Sequence, residues 1–423
     1  MSTAKPKLSK RSGWAADQPI GFLMQKALEH PELISLAAGF VDQSSLPVDA
    51  TASAATALLS DAAAARAALQ YGTTSGDAVL RRQILERLRA ADPGAALGRV
   101  DEEQLVLTAG SNQMLYLLAE ALLDPGDIVL CDAPSYFVFM GVVKNMGAVA
   151  VGVATDEHGM RMDALEAELA RLAASGELSR VKAIYVVSYF DNPRSVSLAA
   201  ERRGRVVELA QRYSRDHVLY VIEDAAYREL RYAGQDVPSI RSHDAAGEHV
   251  IYAGTFSKSF SPGLRVGYGV LPKTLLGAVI DIKGNFDFGS PHLNQRVLSE
   301  VMRLGLYDPH VVALREVYRK KLAAMLEALD EHLGKPGLAR YLRPHGGLYV
   351  WVELAQGIDT GQHGALFARC VEEGVLYVPG AYFFSDVATA PASWMRLSFG
   401  VQNEERIAEG VRKLARAIER VSG

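Results

Sequence analysis

The sequence predicts an α/β protein: a large domain with a mostly parallel sheet flanked by helices, and a smaller α+β C-terminal domain. Three observations carry the expectation. At 423 residues the chain exceeds what one hydrophobic core usually holds. From about residue 100 to 270, short apolar runs alternate with longer amphipathic stretches. Beyond residue 295 that alternation stops and long helical patterns mix with isolated strand patterns.

The short runs are 104–108, 127–131, 181–187, 218–222, 250–252 and 266–270. They are rich in β-branched residues and do not strictly alternate, as expected of strands buried on both faces. Between them, 111–123 places Met114, Leu115, Leu118, Ala119 and Leu122 at helical spacing. The stretches 163–173 and 198–213 repeat that spacing with Leu165, Leu169 and Leu172, and with Val206, Leu209 and Ala210. In the tail, 311–329 and 404–421 read as helices, and 347–352 and 394–399 as strands. The alanine-rich stretch 52–68 reads as one helix. The expected organisation is a segment 1–45 that packs on the small domain or on a partner subunit, a large domain 46–295 and a small domain 296–423.

Composition excludes several function classes. Apolar residues make up 49%, charged residues 22%, and the net charge is −4, so there is no electrostatic footprint for nucleic acid. About 34 residues precede Ser35, and they carry no helix-turn-helix pattern. No apolar run reaches the length of a membrane span, and the basic stretch 1–11 is not followed by a signal-type apolar core. Cys131 and Cys370 belong to no CxxC pair and make no disulfide framework, which points to the reducing cytoplasm. There is no HExxH, Walker loop or GxGxxG fingerprint, and no metal is expected.

Polar residues gather just past the ends of the expected strands: Thr108-Ala-Gly110-Ser111-Asn112-Gln113, Asp132-Ala-Pro134-Ser-Tyr136, Tyr189-Phe-Asp191-Asn192-Pro193, Glu223-Asp224-Ala-Ala-Tyr227 and Thr255-Phe-Ser257-Lys258. In an open parallel sheet, ligands bind outside the carboxyl ends of the strands. Each cluster has an ordinary reading. Gly-Ser before a helix is a cap, Asn-Pro a turn, and an acid such as Glu223 at a strand end is exposed. Their convergence favours a shared task. The amine of Lys258 suits Schiff-base chemistry with a carbonyl, while Thr255, Ser257 and Arg265 suit a phosphate beside it. The helix beginning at Ser111 offers backbone N–H groups of Ser111 and Asn112 to the same phosphate. Asp224 suits a protonated pyridine nitrogen, Tyr227 and Asn192 a phenolate oxygen, and Tyr136 the flat face of a ring.

These residues resemble the class I/II aminotransferases, pyridoxal-phosphate enzymes of fold type I, and within them the 2-aminoadipate and kynurenine aminotransferase branch. The family's Ser-x-Ser-Lys-x-x-x-Pro-Gly-x-Arg-x-Gly-Tyr signature is matched by Thr255 to Tyr268, with Thr in the first place. Its Gly-Ser-Gln-Gln turn is matched by Gly110-Ser111-Asn112-Gln113, its Asp-x-x-Tyr by Asp224 and Tyr227, and its Asn-Pro by Asn192-Pro193. The resemblance runs from about Ser35 to the C-terminus. It implies pyridoxal 5'-phosphate as cofactor and ping-pong exchange of an amino group between an L-amino acid and a 2-oxo acid. It implies that Lys258, Asp224 and Tyr227 are catalytic, with Lys258 as anchor and proton shuttle. It further implies that Arg396 grips the substrate carboxylate near Gly39 and Asn192. Tyr71 would reach the phosphate of a neighbouring subunit, making the unit a homodimer with shared sites. No nucleic-acid or membrane partner is expected.

Two departures stand out. The family's Asn-Pro-Thr-Gly is Asn192-Pro-Arg194-Ser195 here, which leaves Arg194 either facing solvent or bringing a cation to the rim for an acidic substrate group. The family's Ala-Gly-Gly-Leu-Pro is Ala37-Ala-Gly39-Phe40-Val-Asp42. Both leave other outcomes of the same cofactor chemistry open, namely β- or γ-elimination or replacement, cyclisation and oxidation.

Overall fold

In the computed structural model, described for residues 7–15, 32–355 and 357–422, the apolar runs of the large domain become one eight-stranded sheet. A short strand near the N-terminus, β1 (Ile34–Ser35), lies elsewhere. The sheet comprises β2 (Leu105–Thr108), β3 (Ile128–Ala133), β4 (Val149–Asp156), β5 (Gly159–Met160), β6 (Val181–Val187), β7 (Tyr220–Asp224), β8 (Val250–Thr255) and β9 (Gly267–Val270). Their order is β2-β9-β8-β7-β6-β3-β4-β5. The ladders β4-β3-β6-β7-β8 are parallel; β9 runs antiparallel between β8 and β2, and β5 closes a hairpin on β4.

The non-alternating runs have a simple cause. Ile128, Leu130, Ile184, Val186 and Val221 belong to the core on one face, while Val129, Cys131, Ala183, Tyr185 and Ile222 belong to the core on the other. With helices on both faces, the central strands are buried on both sides, so apolar residues fill most successive positions.

β4 escaped the sequence reading because much of it is exposed or half-buried, so Val149, Val151 and Val153 stand alone between Ala and Gly. The expected single helix 52–68 is two, Val48–Ser60 and Ala62–Leu69. Asp61 between them is extended and its Oδ1 accepts from the Ala64 N–H at 2.7 Å, capping the second helix.

The C-terminal part builds a second sheet from β10 (Ala339–Tyr341), β11 (Tyr349–Leu354), β13 (Val378–Pro379) and β14 (Trp394–Ser398), in the order β10-β11-β14-β13 and antiparallel throughout. β1 pairs in parallel with β12 (Val375–Leu376), and the Ser398 N–H donates to Leu36 O. Residues 32–42 therefore lie on the C-terminal layer. The rest of the expected N-terminal segment, residues 1–6 and 16–31, lies outside the described residues. Among the described residues no helix is long and apolar enough to cross a membrane. Both cysteines are buried and free.

Candidate active site

The carboxyl ends of β2, β3, β6, β7 and β8 meet the segment 35–40 and the strands β11 and β14 around a cavity of about 480 Å³. Gly39, Ser111, Asn112, Tyr136, Asn192, Asp224, Tyr227, Thr255, Ser257, Lys258, Arg265 and Arg396, all expected from the sequence, line it.

One end of the cavity gathers groups whose chemistry suits an anion. Gly110 precedes helix α1 (Ser111–Leu122) with φ +81° and supplies no side-chain cap. The first N–H groups of a helix have no intrahelical partners, so they face an incoming acceptor. Beside them, Thr255 Oγ1 donates to Ser257 Oγ at 3.0 Å, Arg265 Nη1 reaches Ser257 Oγ at 3.4 Å, and Arg265 Nη2 donates to Ala109 O at 3.0 Å. A Cβ on Gly110 would lie 2.5 Å from Arg265 Nη2. Gly267 is equally constrained, since a Cβ there would lie 2.5 Å from the Ser111 nitrogen. Backbone, hydroxyls and guanidinium thus form one tight cradle.

The middle holds Lys258 and Asp224. Lys258 Nζ donates to Gly39 O at 2.8 Å. Burial lowers its pKa, and Arg396 and Arg265 add to the effect against Tyr349, which favours the neutral amine relative to a free lysine. Burial pushes Asp224 up to about 6, although a Tyr185 hydroxyl and the Ala226 N–H pull it down. The Tyr227 and Tyr349 hydroxyls lie 3.1 Å apart, and the Tyr136 hydroxyl contacts Asn112 Oδ1 at 3.4 Å.

The far end holds Arg396, in β14 opposite Trp351 of β11. Its Nη1 donates to Asn192 Oδ1 at 2.9 Å, its Nη2 donates to Ala37 O, and its guanidinium lies 4.2 Å from the Tyr349 ring centroid. The Nε is buried without a partner. A planar fork with an open N–H in a buried pocket suits a carboxylate.

Two sequence expectations need correction. Glu223 is not exposed: it is fully buried and takes N–H groups from Ile240 and Arg241 and the Ser188 hydroxyl, with Arg203 at 3.6 Å. Successive strand residues point to opposite faces, so Glu223 serves the helix-covered side while Asp224 faces the cavity side. Arg194 neither faces solvent nor reaches the rim. It is 6% exposed and turns back onto Asp191 and Asp156 O. Tyr71 lies outside the cavity of its own chain, 79% exposed against Phe288. Tyr185 and Tyr349 were missed. Tyr185 lies inside a strand run and reads as core, and Tyr349 sits in an aromatic strand with no polar neighbours in sequence.

The family model for aminotransferase class I and II matches residues 31–414. The chain belongs to the class I and II aminotransferases. It is 34% identical over 396 residues to aromatic-amino-acid aminotransferase 1 of Thermococcus litoralis, covering 93% of this chain and 90% of that protein. It is also 34% identical to the 2-aminoadipate transaminase of Thermus thermophilus, covering 93% and 92%. Among solved structures it resembles the α-aminoadipate aminotransferase of Thermus thermophilus, complexed with N-(5'-phosphopyridoxyl)-L-leucine, with a TM-score of 0.84, 33% identity and 98% of each chain covered. These relatives span essentially the whole of this aminotransferase, its cavity included.

Proposed function

We propose that this aminotransferase exchanges an amino group between an L-amino acid and a 2-oxo acid with Lys258 as the group that holds the cofactor and moves the proton. The observation that carries the reading is the separation of three basic side chains in one cavity: Arg265 at the cradle, Lys258 in the middle and Arg396 at the far end. Pyridoxal 5'-phosphate fits this donor set. Ser111, Asn112, Thr255, Ser257 and Arg265 would hold its phosphate, with Gly110 letting the turn close. Asp224, buried and acidic at the floor, would meet its ring nitrogen; Asn192 and Tyr227 would meet its ring oxygen, and Tyr136 its face. When bound, the cofactor supplies an aldehyde that condenses with amines and a protonated ring that accepts the electron pair of a breaking α C–H bond.

The chain's own residues do the rest. Arg396 binds the substrate carboxylate and fixes which bond at the α-carbon faces Lys258. Lys258 Nζ, its pKa lowered by burial, would accept the substrate's α-proton and give it back as the amino group is exchanged. Asp224, when ionised, would pair with a ring nitrogen and favour its protonated form. Tyr349, beneath Arg396 and bonded to Tyr227, orients both. The net exchange would turn the amino acid into its 2-oxo acid and a second 2-oxo acid into its amino acid.

The working unit is a homodimer of cytoplasmic chains. Leu69, Tyr71, Phe286 and Phe288 are exposed, and Tyr71 packs edge-on against Phe288, so an apolar patch surrounds the tyrosine that would complete the neighbour's phosphate site. The direct test mixes reconstituted protein with one amino acid at a time in a single turnover. Stoichiometric 2-oxo acid and pyridoxamine phosphate support transamination. Ammonia, peroxide or a ring product from every accepted amino acid rejects it.

A further inference from the structure

Arg194 is a buried guanidinium beside Asn192 that the reaction leaves without a task, and it stands where the family's Asn-Pro-Thr-Gly carries a smaller residue. It spans two pieces of the fold. Asp191 Oδ2 accepts from Arg194 Nε at 2.9 Å and from Nη2 at 2.5 Å, and Arg194 Nη1 donates to Asp156 O at 3.1 Å. Asp191 Oδ1 accepts the N–H groups of Arg194 and Val196 at 3.0 and 3.1 Å. Both side chains are nearly inaccessible, at 6% and 3%. A third group faces the pair: Asp132, 3% exposed at the end of β3, with Oδ1 buried and unpartnered. The Arg194 charge pairs with Asp191 and, at longer range, favours the ionised form of Asp132.

The turn they hold is strained. Phe190 and Ser195 have φ of +45° and +54°, values that favour glycine and persist only where surrounding contacts fix them. The strained turn aims two groups at Arg396. Asn192 Oδ1 accepts from Arg396 Nη1 at 2.9 Å. Ser195 Oγ accepts from the Tyr349 N–H at 3.3 Å, and the Tyr349 ring carries the Arg396 guanidinium at 4.2 Å. Both contacts hold Arg396 without occupying its open Nε.

We propose that Arg194 and Asp191 form a buried clamp that positions Asn192, Ser195 and through them Arg396, and so set how tightly the substrate carboxylate is held. Arg194 is a positioning residue and touches neither substrate nor cofactor. The proposal rests on Arg396 binding the carboxylate. Its mechanism is geometric: a compact charged clamp does from behind the turn what a smaller turn residue with glycine beside it would do by needing no support. A lysine at 194 keeps the charge but loses the fork, so it can hold Asp191 or Asp156 O but not all three contacts.

The test uses the cofactor-loaded enzyme with one accepted amino acid, and a simple 2-oxo acid as binding probe. Arg194→Lys should raise the amino-acid KM and the Kd of the 2-oxo acid about tenfold, because small misplacements of a positioned group cost that much or more. Its saturating half-reaction rate should stay within about twofold of wild type, the pattern expected when ground-state and transition-state binding are lost equally. Its cofactor titration should remain near wild type. The double variant Asp191→Asn with Arg194→Met removes both charges together. It leaves neither member of the ion pair without its partner and should show the same rise in KM. Unchanged KM in both folded variants overturns the proposal, as does a loss confined to thermal stability or active fraction. If Arg396→Lys itself leaves KM unchanged, the carboxylate assignment fails instead, and the two failures are thereby told apart.

Discussion

Tyr185 donates a hydrogen bond to Asp224 at 2.9 Å, deep between β6 and β7, where neither group meets solvent. The acid that would face the cofactor ring is therefore held by a phenol from the neighbouring strand, through the registry that pairs Tyr185 with Ile222 and Val187 with Asp224. A hydrogen bond to a charged acceptor contributes about 1.5–3 kcal/mol. Tyr185→Phe should make Asp224 harder to ionise and lower kcat/KM by about 10- to 100-fold at neutral pH. Steady-state kinetics check this, and wild-type kinetics in the variant would detach Tyr185 from the reaction.

The pH dependence of cofactor binding follows from the same acid. Burial places Asp224 at about 6 in the cofactor-free chain, above the usual carboxylate range. An acid with a raised folded pKa binds its proton more tightly folded than unfolded. Its ionisation therefore costs stability as pH rises from about 4 through 6. A protonated ring nitrogen opposite it offsets that cost. The cofactor-induced rise in Tm should widen between pH 5 and pH 7.5 in wild type and stay flat in Asp224→Asn. Parallel profiles in the two proteins would remove Asp224 from ring binding.

Gly110 offers a purely steric prediction. Gly110→Ala puts a Cβ against the Arg265 guanidinium at a φ of +81°, which carries a backbone cost of about 1–3 kcal/mol. Affinity for pyridoxal phosphate should fall about tenfold or more, while affinity for unphosphorylated pyridoxal should change little. Titration by absorbance separates the two, and an equal loss for both ligands contradicts the phosphate assignment of the cradle.

The subunit arrangement gives a prediction in mass. Sedimentation should report twice the 45.7 kDa of one chain. Phe288→Glu should shift the protein toward monomer and take cofactor affinity with it, because Tyr71 would no longer reach a neighbour. An active monomer excludes a shared site.

Much of this was legible in the sequence because the large-domain strands end in the residues that line the cavity, and strand ends are marked by apolar runs stopping at Ser, Asn and Asp. The cradle, Lys258 and Asp224 were singled out that way, and Arg396 only through the family resemblance. Three kinds of residue were hidden. Tyr185 and Tyr349 sit in apolar strands, where a tyrosine reads as core until its hydroxyl is placed. Glu223 and Asp224 are adjacent in sequence, and only the pleat assigns them to opposite faces. Arg194 is a charged residue in a polar turn, and nothing in one dimension reveals that its side chain folds back onto Asp191 and Asp156 O. β4 was missed for the inverse reason: half-buried strands carry a diluted apolar signal.

The most direct measurement is borohydride reduction of the pyridoxal-phosphate-loaded protein followed by peptide mapping. Reduction locks the cofactor onto whichever amine holds it. The account predicts one phosphopyridoxyl group per chain, on Lys258, and its disappearance after prior incubation with an accepted amino acid. Label on another lysine, or label on Lys258 that a substrate amino acid does not remove, contradicts it.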